Sequence, residues 1–444
     1  MRARTLARTA VTSPSLVARW GAAMLLAATT RRHAAGLSGV SVLPRKLTMP
    51  LRRTGTDPVP ELAALRAQHP VAKIGRVLGR TVWIVTSHEQ ARAVLNDSVS
   101  YSTDIRPILG GDGDLAIGGL GFTDPPDHTR LRRYLIPEFA GRRLAALAPK
   151  ITEIVEHQLD LLEESGDPGD PSDVVDFVSA CAFPIPFHVI CELLGLPGED
   201  RERFRELGHA RFDVTGGGAG TFGAMSRSQE FLAEVVRAQR REPGDGLIGA
   251  LVRKHGHELD DAELTGLVDG VFTGGYETSA SMLALGVVTL LRDREAYALA
   301  ADDATVDGVV SELLRYLSVV QIAFPRFARN DMTLFGQQVR AGDAVVCSLS
   351  GANRDGEFAD RPDEMDPSRP GRGHLAFGHG MHRCIGSELA RMELRATFSS
   401  LSRRYPDMAL AVEPRSLQFR ELSIVHGIES VPVRLVPTAP ATRP

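Results

Sequence analysis

Apolar positions recur at intervals of three and four through most of the chain, and the β-branched runs are few and short. Thr81 to Ser87 (TVWIVTS) predicts a strand, and HEQARAVLND behind it predicts a helix. DHTRLRRYLIPEF opens at Asp127 directly after Pro125 and Pro126, a placement that starts helices. Residues 146–164 and 173–194 are apolar at helical spacing. RERFRELGHARFDV and FGAMSRSQEFLAEVVRAQRR predict two helices joined by a glycine-rich hinge, Gly216 to Gly220, an arrangement suited to a lid. Residues 260–292 read as one long, mostly apolar helix, interrupted at Gly274 and Gly275, that should run through the core. Another helix spans about 305–318, short strands alternate with turns up to 349, and ELARMELRATFSSLSRRY forms a last helix. Residues 101–123 are glycine-rich and aperiodic, which predicts a long loop of the kind that carries function. The pattern is mainly α with small β-sheets (α+β), with no repeat, low-complexity tract or second-domain linker.

Composition narrows the class. Hydrophobic residues at 43% and charged residues at 24% describe a soluble globular chain, and 444 residues suffice to enclose a cofactor-sized cavity. The net charge of −4 is unevenly spread: residues 1–56 hold ten Arg or Lys and no acid, which leaves 41 basic against 55 acidic residues beyond them. An acidic body argues against a nucleic-acid surface. Residues 1–48 are expected to be a basic extension, disordered or weakly helical, without part in the chemistry. Its apolar run Trp20 to Ala28 is too short for a membrane anchor and lacks a clean cleavage site for a signal peptide. Met49 makes a natural start for a domain over 49–437, with 438–444 as a tail. None of the four cysteines, Cys181, Cys191, Cys347 and Cys384, sits in a CxxC pair. So few thiols in so large a core fit a reducing, cytoplasmic compartment.

Cys384 stands apart from the other three. It lies in FGHGMHRCIGSELARMEL, Phe377 to Leu394, where Gly378, Gly380 and Gly386 allow tight turns and a close backbone approach. The helix that follows directs its first amides toward the sulfur and favours a thiolate. Phe377 is placed to cover that thiolate and exclude water. A thiolate held this way suits a haem iron.

FGHGMHRCIG resembles the haem-binding signature of the cytochrome P450 family, F-G-x-G-x-H-x-C-x-G, at every position. The resemblance extends from Met49 to about Leu435 in the order of a soluble bacterial member. It implies the P450 fold, with a long central distal helix and a proximal loop carrying the metal ligand Cys384, and haem b (iron protoporphyrin IX) as cofactor. It also implies a monooxygenase that inserts one oxygen atom from O2 into an apolar small molecule, of secondary metabolism by expectation. Oxidative coupling or dehydration on the same haem is the alternative, and a haem-binding sensor or carrier a remote one.

Further residues match the family's pattern. In GGYETS, Gly274 and Gly275 clear space on the distal side, and Glu277 and Thr278 pair an acid with an alcohol, suited to delivering the protons that oxygen activation consumes. Glu312 and Arg315 match the structural E-x-x-R pair, three apart on one helix face. The family's usual third arginine is missing from Pro362-Asp363-Glu364-Met365, so Arg369, or else Arg361, is expected to complete that network. His128, Arg132, Arg326 and His382 occupy positions the family uses for the haem propionates, for which arginine is geometrically suited.

The resemblance places substrate contacts at Ile108, Leu115, Ile117, Phe212, Phe222, Val271, Phe272, Ile322, Phe324 and Val425, a mostly apolar set. Terpenoid, polyketide, steroid and carrier-tethered amino-acid substrates all stay open. Electrons must come from a separate ferredoxin with its reductase, or a flavodoxin, docking on a patch of Arg130, Arg133, Arg383 and Arg391. A monomer is expected, without nucleic-acid or membrane partners.

Overall fold

The computed structural model describes residues 44–77, 79–105, 119–166, 174–212, 218–369 and 373–435, with side chains 209–226 left aside. The basic extension lies outside these residues except for 44–48, and the tail lies outside them entirely.

The main sheet has five strands: β1 (Val71–Val77), β2 (Arg80–Val85), β3 (Tyr101–Ser102), β4 (Arg326–Ala328) and β5 (Ala344–Cys347). Their spatial order is β1-β2-β5-β4-β3. Only β2 and β5 run parallel, with Val82 opposite Ala344 and Val85 opposite Cys347. A parallel pair needs a crossover, and here the crossover contains most of the helices. A short helix, α1 (Arg45–Thr48), lies against this sheet. Thr48 is buried, and Leu47 rests on Gly75 of β1, so packing begins before Met49.

A second, larger core is built mainly from helices. The principal ones, in chain order, are α2 (Asp127–Leu135), α3 (Gly141–Glu164), α4 (Pro184–Leu194), α5 (Gly198–Phe212), α6 (Gly218–Arg241), α7 (Asp261–Arg292), α8 (Val306–Leu317) and α9 (Ser387–Arg404). The apolar stretch 173–194 divides, because Val175–Asp176 pairs with Pro432 and Val433 as a strand and Pro184 can only open a helix. The following residues Val178–Ala182 form a single wide turn.

Helix α7 is the axis of this core. Asp260 caps it, accepting from the Glu263 amide, while the Glu263 side chain returns the contact. It continues through Gly274 and Gly275 without the expected break. Glycine weakens a helix without ending it, and the buried residues on both sides hold this one in register.

Candidate active site

The loop before α9 folds back on itself around the thiol. The Cys384 amide donates to the Phe377 carbonyl at 2.9 Å. Gly378 and Gly380 have φ of 66° and 72°. A side chain at Gly380 would also strike the Leu95 carbonyl at 2.6 Å, so two independent constraints require glycine there. The Cys384 sulfur is reachable by solvent yet set deep among protein atoms, as at the floor of a cavity. Burial pushes its pKa up, and the Gly386 amide, Arg132 and Arg383 pull it down. Phe377 lies between two side chains: the Arg391 guanidinium is 5.3 Å from its ring centre, and the His374 ring is 5.8 Å away.

Around this loop the structure gathers His128 and Arg132 from α2, Arg326 from β4 and His382. The two imidazoles face each other with centroids 4.2 Å apart. His128 is buried, and neither of its ring nitrogens has a hydrogen-bond partner. His382 has one unpartnered nitrogen and one at 3.5 Å from the Thr103 hydroxyl. Desolvation, with neighbouring cations, holds His128 down to about 4 and His382 to about 3. Arg326 is buried and donates to the Phe324 carbonyl at 3.0 Å; Arg132 donates to the Arg383 carbonyl at 2.6 Å. Neither arginine pairs with a carboxylate among the described residues. The nearby Asp124 is occupied by Ser102, Thr103 and Arg329. A buried guanidinium, a half-buried one and imidazole nitrogens without partners, none of them ion-paired with an acid among the described residues, form a site for an anion, so these residues fit the carboxylates of a haem.

On the distal side, Thr278 donates its hydroxyl proton to the Gly274 carbonyl at 2.6 Å. Glu277 accepts from Arg420 at 3.1 Å, an ion pair between residues 143 apart in sequence. Burial raises the Glu277 pKa and Arg420 lowers it. Reading the sequence missed Arg420, which no motif marks. It also missed Glu393 of α9, a buried acid whose carboxylate has one hydrogen-bond partner among the described residues, the Ser279 hydroxyl at 3.4 Å, and whose pKa burial pushes up to about 8.

The expected substrate contacts divide. Ile108, Leu115 and Ile117 lie outside the described residues, as do the side chains of Phe212 and Phe222. Val425 pairs with Val320, and Ile322 with Ser348, which brings the two chain segments side by side. Phe324 is 49% exposed and meets Phe122 edge-on at 4.7 Å. Val271 is half-buried. Phe272 departs from expectation: it is fully buried between α7 and α5, 4.3 Å from Phe204 and 5.5 Å from Tyr276. An apolar helix hides which of its sides meets another helix and which a cavity.

Glu312 and Arg315 make a bidentate pair at 2.7 and 2.8 Å, both buried. Arg369 reaches Glu312 at 3.3 Å and the Asp366 amide donates to it at 3.0 Å, while Arg361 turns outward to Glu364. On the proximal face, Arg133 and Arg383 are exposed and have no carboxylate partner among the described residues. Arg130 is paired with Glu263, and Arg391 donates to His374 at 3.1 Å, so those two cations are committed inward.

Comparison with known proteins follows the same lines. Residues 304–409 match the family model described as Cytochrome P450. Cytochrome P450 165B3 from Amycolatopsis orientalis is 38% identical over 392 residues, covering 86% of this chain and 97% of its own. The structure of P450 StaH from glycopeptide antibiotic A47934 biosynthesis is 37% identical with a TM-score of 0.78, covering 87% of this chain and 99% of the other. OxyC, titled as implicated in an oxidative C–C coupling reaction during vancomycin biosynthesis, is 36% identical with a TM-score of 0.77, covering 86% and 95%.

Proposed function

The chain belongs to the cytochrome P450 family of haem-thiolate monooxygenases, and from that premise we propose an apolar small molecule of secondary metabolism as its substrate. The cofactor is haem b. Cys384 would hold its iron, and His128, Arg132, Arg326 and His382 would hold its propionates. When bound, the haem supplies the activation of O2 and the transfer of an oxygen atom.

The chain's own residues do the rest. The Gly386 amide, Arg132 and Arg383 favour the Cys384 thiolate. Phe377, whose carbonyl accepts from the Cys384 amide, would cover the thiolate face. The Thr278 hydroxyl, parked on the Gly274 carbonyl, can turn to donate and accept on the distal side. Glu277 can take up and release a proton at its carboxyl, in a site where burial raises its proton affinity and Arg420 lowers it.

One observation carries the reading: a cluster of two imidazoles and two guanidinium groups, none ion-paired with a carboxylate among the described residues, beside the exposed Cys384. Reduced protein under carbon monoxide should show the thiolate-type Soret band. A well-folded protein without it, or a band that survives Cys384→Ala, refutes the assignment. A screen for low-to-high spin shifts then identifies the substrate class.

Electrons come from a separate ferredoxin with its reductase, or a flavodoxin, docking where Arg133 and Arg383 stand open. The enzyme works in the cytoplasm; among the described residues no helix is long and apolar enough to cross a membrane. Oxidative coupling is the second reading, favoured by the likeness to OxyC. Product analysis separates them: gain of one oxygen against loss of two hydrogens.

A further inference from the structure

Glu277 shares its cation. Arg420 donates through Nη1 to Glu277 Oε1 at 3.1 Å, and its Nε lies 3.5 Å from Glu429 Oε1. The side chains of Glu277 and Arg420 are 17% and 11% exposed, that of Glu429 49%. One guanidinium thus faces a buried carboxylate on one side and a surface carboxylate on the other. Its position is fixed by the segment 419–428, where Phe419 bridges to Ile428 and the Arg420 amide donates to the Gly427 carbonyl at 2.9 Å. A Cβ at Gly427 would stand 3.3 Å from Arg420 Cδ, so that glycine leaves the side chain room to pass. Phe183 supports the guanidinium from the far side, 5.1 Å from its ring centre.

We propose that Arg420 is a positioning residue that sets the proton affinity of Glu277, and that Glu429 competes with Glu277 for it. The inference rests on reading Glu277 as the distal acid. A carboxylate in a desolvated site keeps its charge only as far as a counter-ion compensates. Every part of the Arg420 charge that Glu429 neutralises is withdrawn from Glu277, so the acid at the surface tunes the acid at the centre. Among the described residues, the other elements packed here bring no further ion pair to Glu277 or Arg420. Glu393 of α9 bonds Ser279, and α4 and the residue before it present Phe183 and Ile190.

The test is a difference-infrared pH titration of the haem-loaded protein, with Glu277→Gln to identify the carboxyl band. Arg420→Met should raise the Glu277 midpoint by about 1–3 units. Glu429→Gln should lower it, because Arg420 then serves Glu277 alone. Opposite signs are the discriminating result, since general loosening of the site would move both variants the same way. Arg420→Lys should titrate between wild type and Arg420→Met, and it stands in should Arg420→Met fold poorly. An unchanged midpoint in either charge-removing variant overturns the inference. Should the midpoints move as stated while the pH dependence of turnover stays fixed, the counter-ion role holds and the distal-acid reading falls.

Discussion

Arg391 places its guanidinium 5.3 Å from the centre of the Phe377 ring and donates to Nε2 of His374 at 3.1 Å. A cation committed this way belongs to the thiolate's surroundings as well as to the protein surface. Burial and the neighbouring arginines hold His374 neutral, down to about 3, so it accepts from Arg391 throughout the working pH range. Arg391→Leu removes one positive charge from the proximal side. A screened unit charge at such a distance is worth about 1 kcal/mol, so the reduction potential should fall by roughly 40 mV. Spectroelectrochemical titration measures it, and a potential that holds steady counts against the contact.

Electron delivery should depend on Arg133 and Arg383 and hardly on Arg130. The first two are exposed without carboxylate partners, whereas Arg130 is already paired with Glu263. Arg133→Glu with Arg383→Glu should slow reduction by an acidic donor about tenfold or more and flatten its dependence on ionic strength. Arg130→Gln should leave that dependence near wild type. Stopped-flow reduction at several salt concentrations distinguishes the two.

Glu393 makes a prediction about stability and pH. The folded chain keeps a proton there up to about pH 8, against 4.5 for an ordinary glutamate. Between those values the folded state binds the extra proton, so stability falls as pH rises through the window and levels off above it. At about 1.4 kcal/mol per pKa unit the total amounts to several kcal/mol at most. Glu393→Gln should flatten the decline, read as Tm measured from pH 5 to 8.5. A variant whose Tm falls as steeply as wild type would show that the proton is not held at this side chain.

The Glu312–Arg315–Arg369 network should behave as a unit. Removing one member of a buried ion pair leaves an uncompensated charge and costs about 3–5 kcal/mol. Arg315→Ala should therefore destabilise strongly, and Arg369→Ala less, because Arg369 is partly exposed and its contact with Glu312 is longer, at 3.3 Å. Denaturant unfolding of the two variants ranks them; equal losses would contradict this order.

The proximal loop was legible because its constraints are contiguous. Gly378, Gly380, His382, Cys384 and Gly386 sit within ten residues, and a positive φ calls for glycine at the first two. Arg420 was not legible, because its meaning comes from Glu277 on a helix far away in sequence. Glu393 reads as one more polar position on an amphipathic helix until tertiary packing buries it. Phe272 failed for the converse reason, since α7 is apolar on several sides and only its neighbours decide which side meets the cavity. The long helices were readable from periodicity, but their boundaries moved where Val175 and Pro184 obeyed local strand and proline rules.

The parallel pairing of β2 with β5 carries a consequence for how the protein is made. Val82–Val85 meets partners at Ala344–Cys347, which leave the ribosome long afterwards. The residues proposed to hold the cofactor are likewise divided, with His128 and Arg132 early and Arg326, His382 and Cys384 late. The early half therefore waits with an unfinished sheet edge and unpartnered cations until most of the chain has been synthesised. On the proposed assignment, the haem site is therefore completed only when segments far apart in the chain have come together.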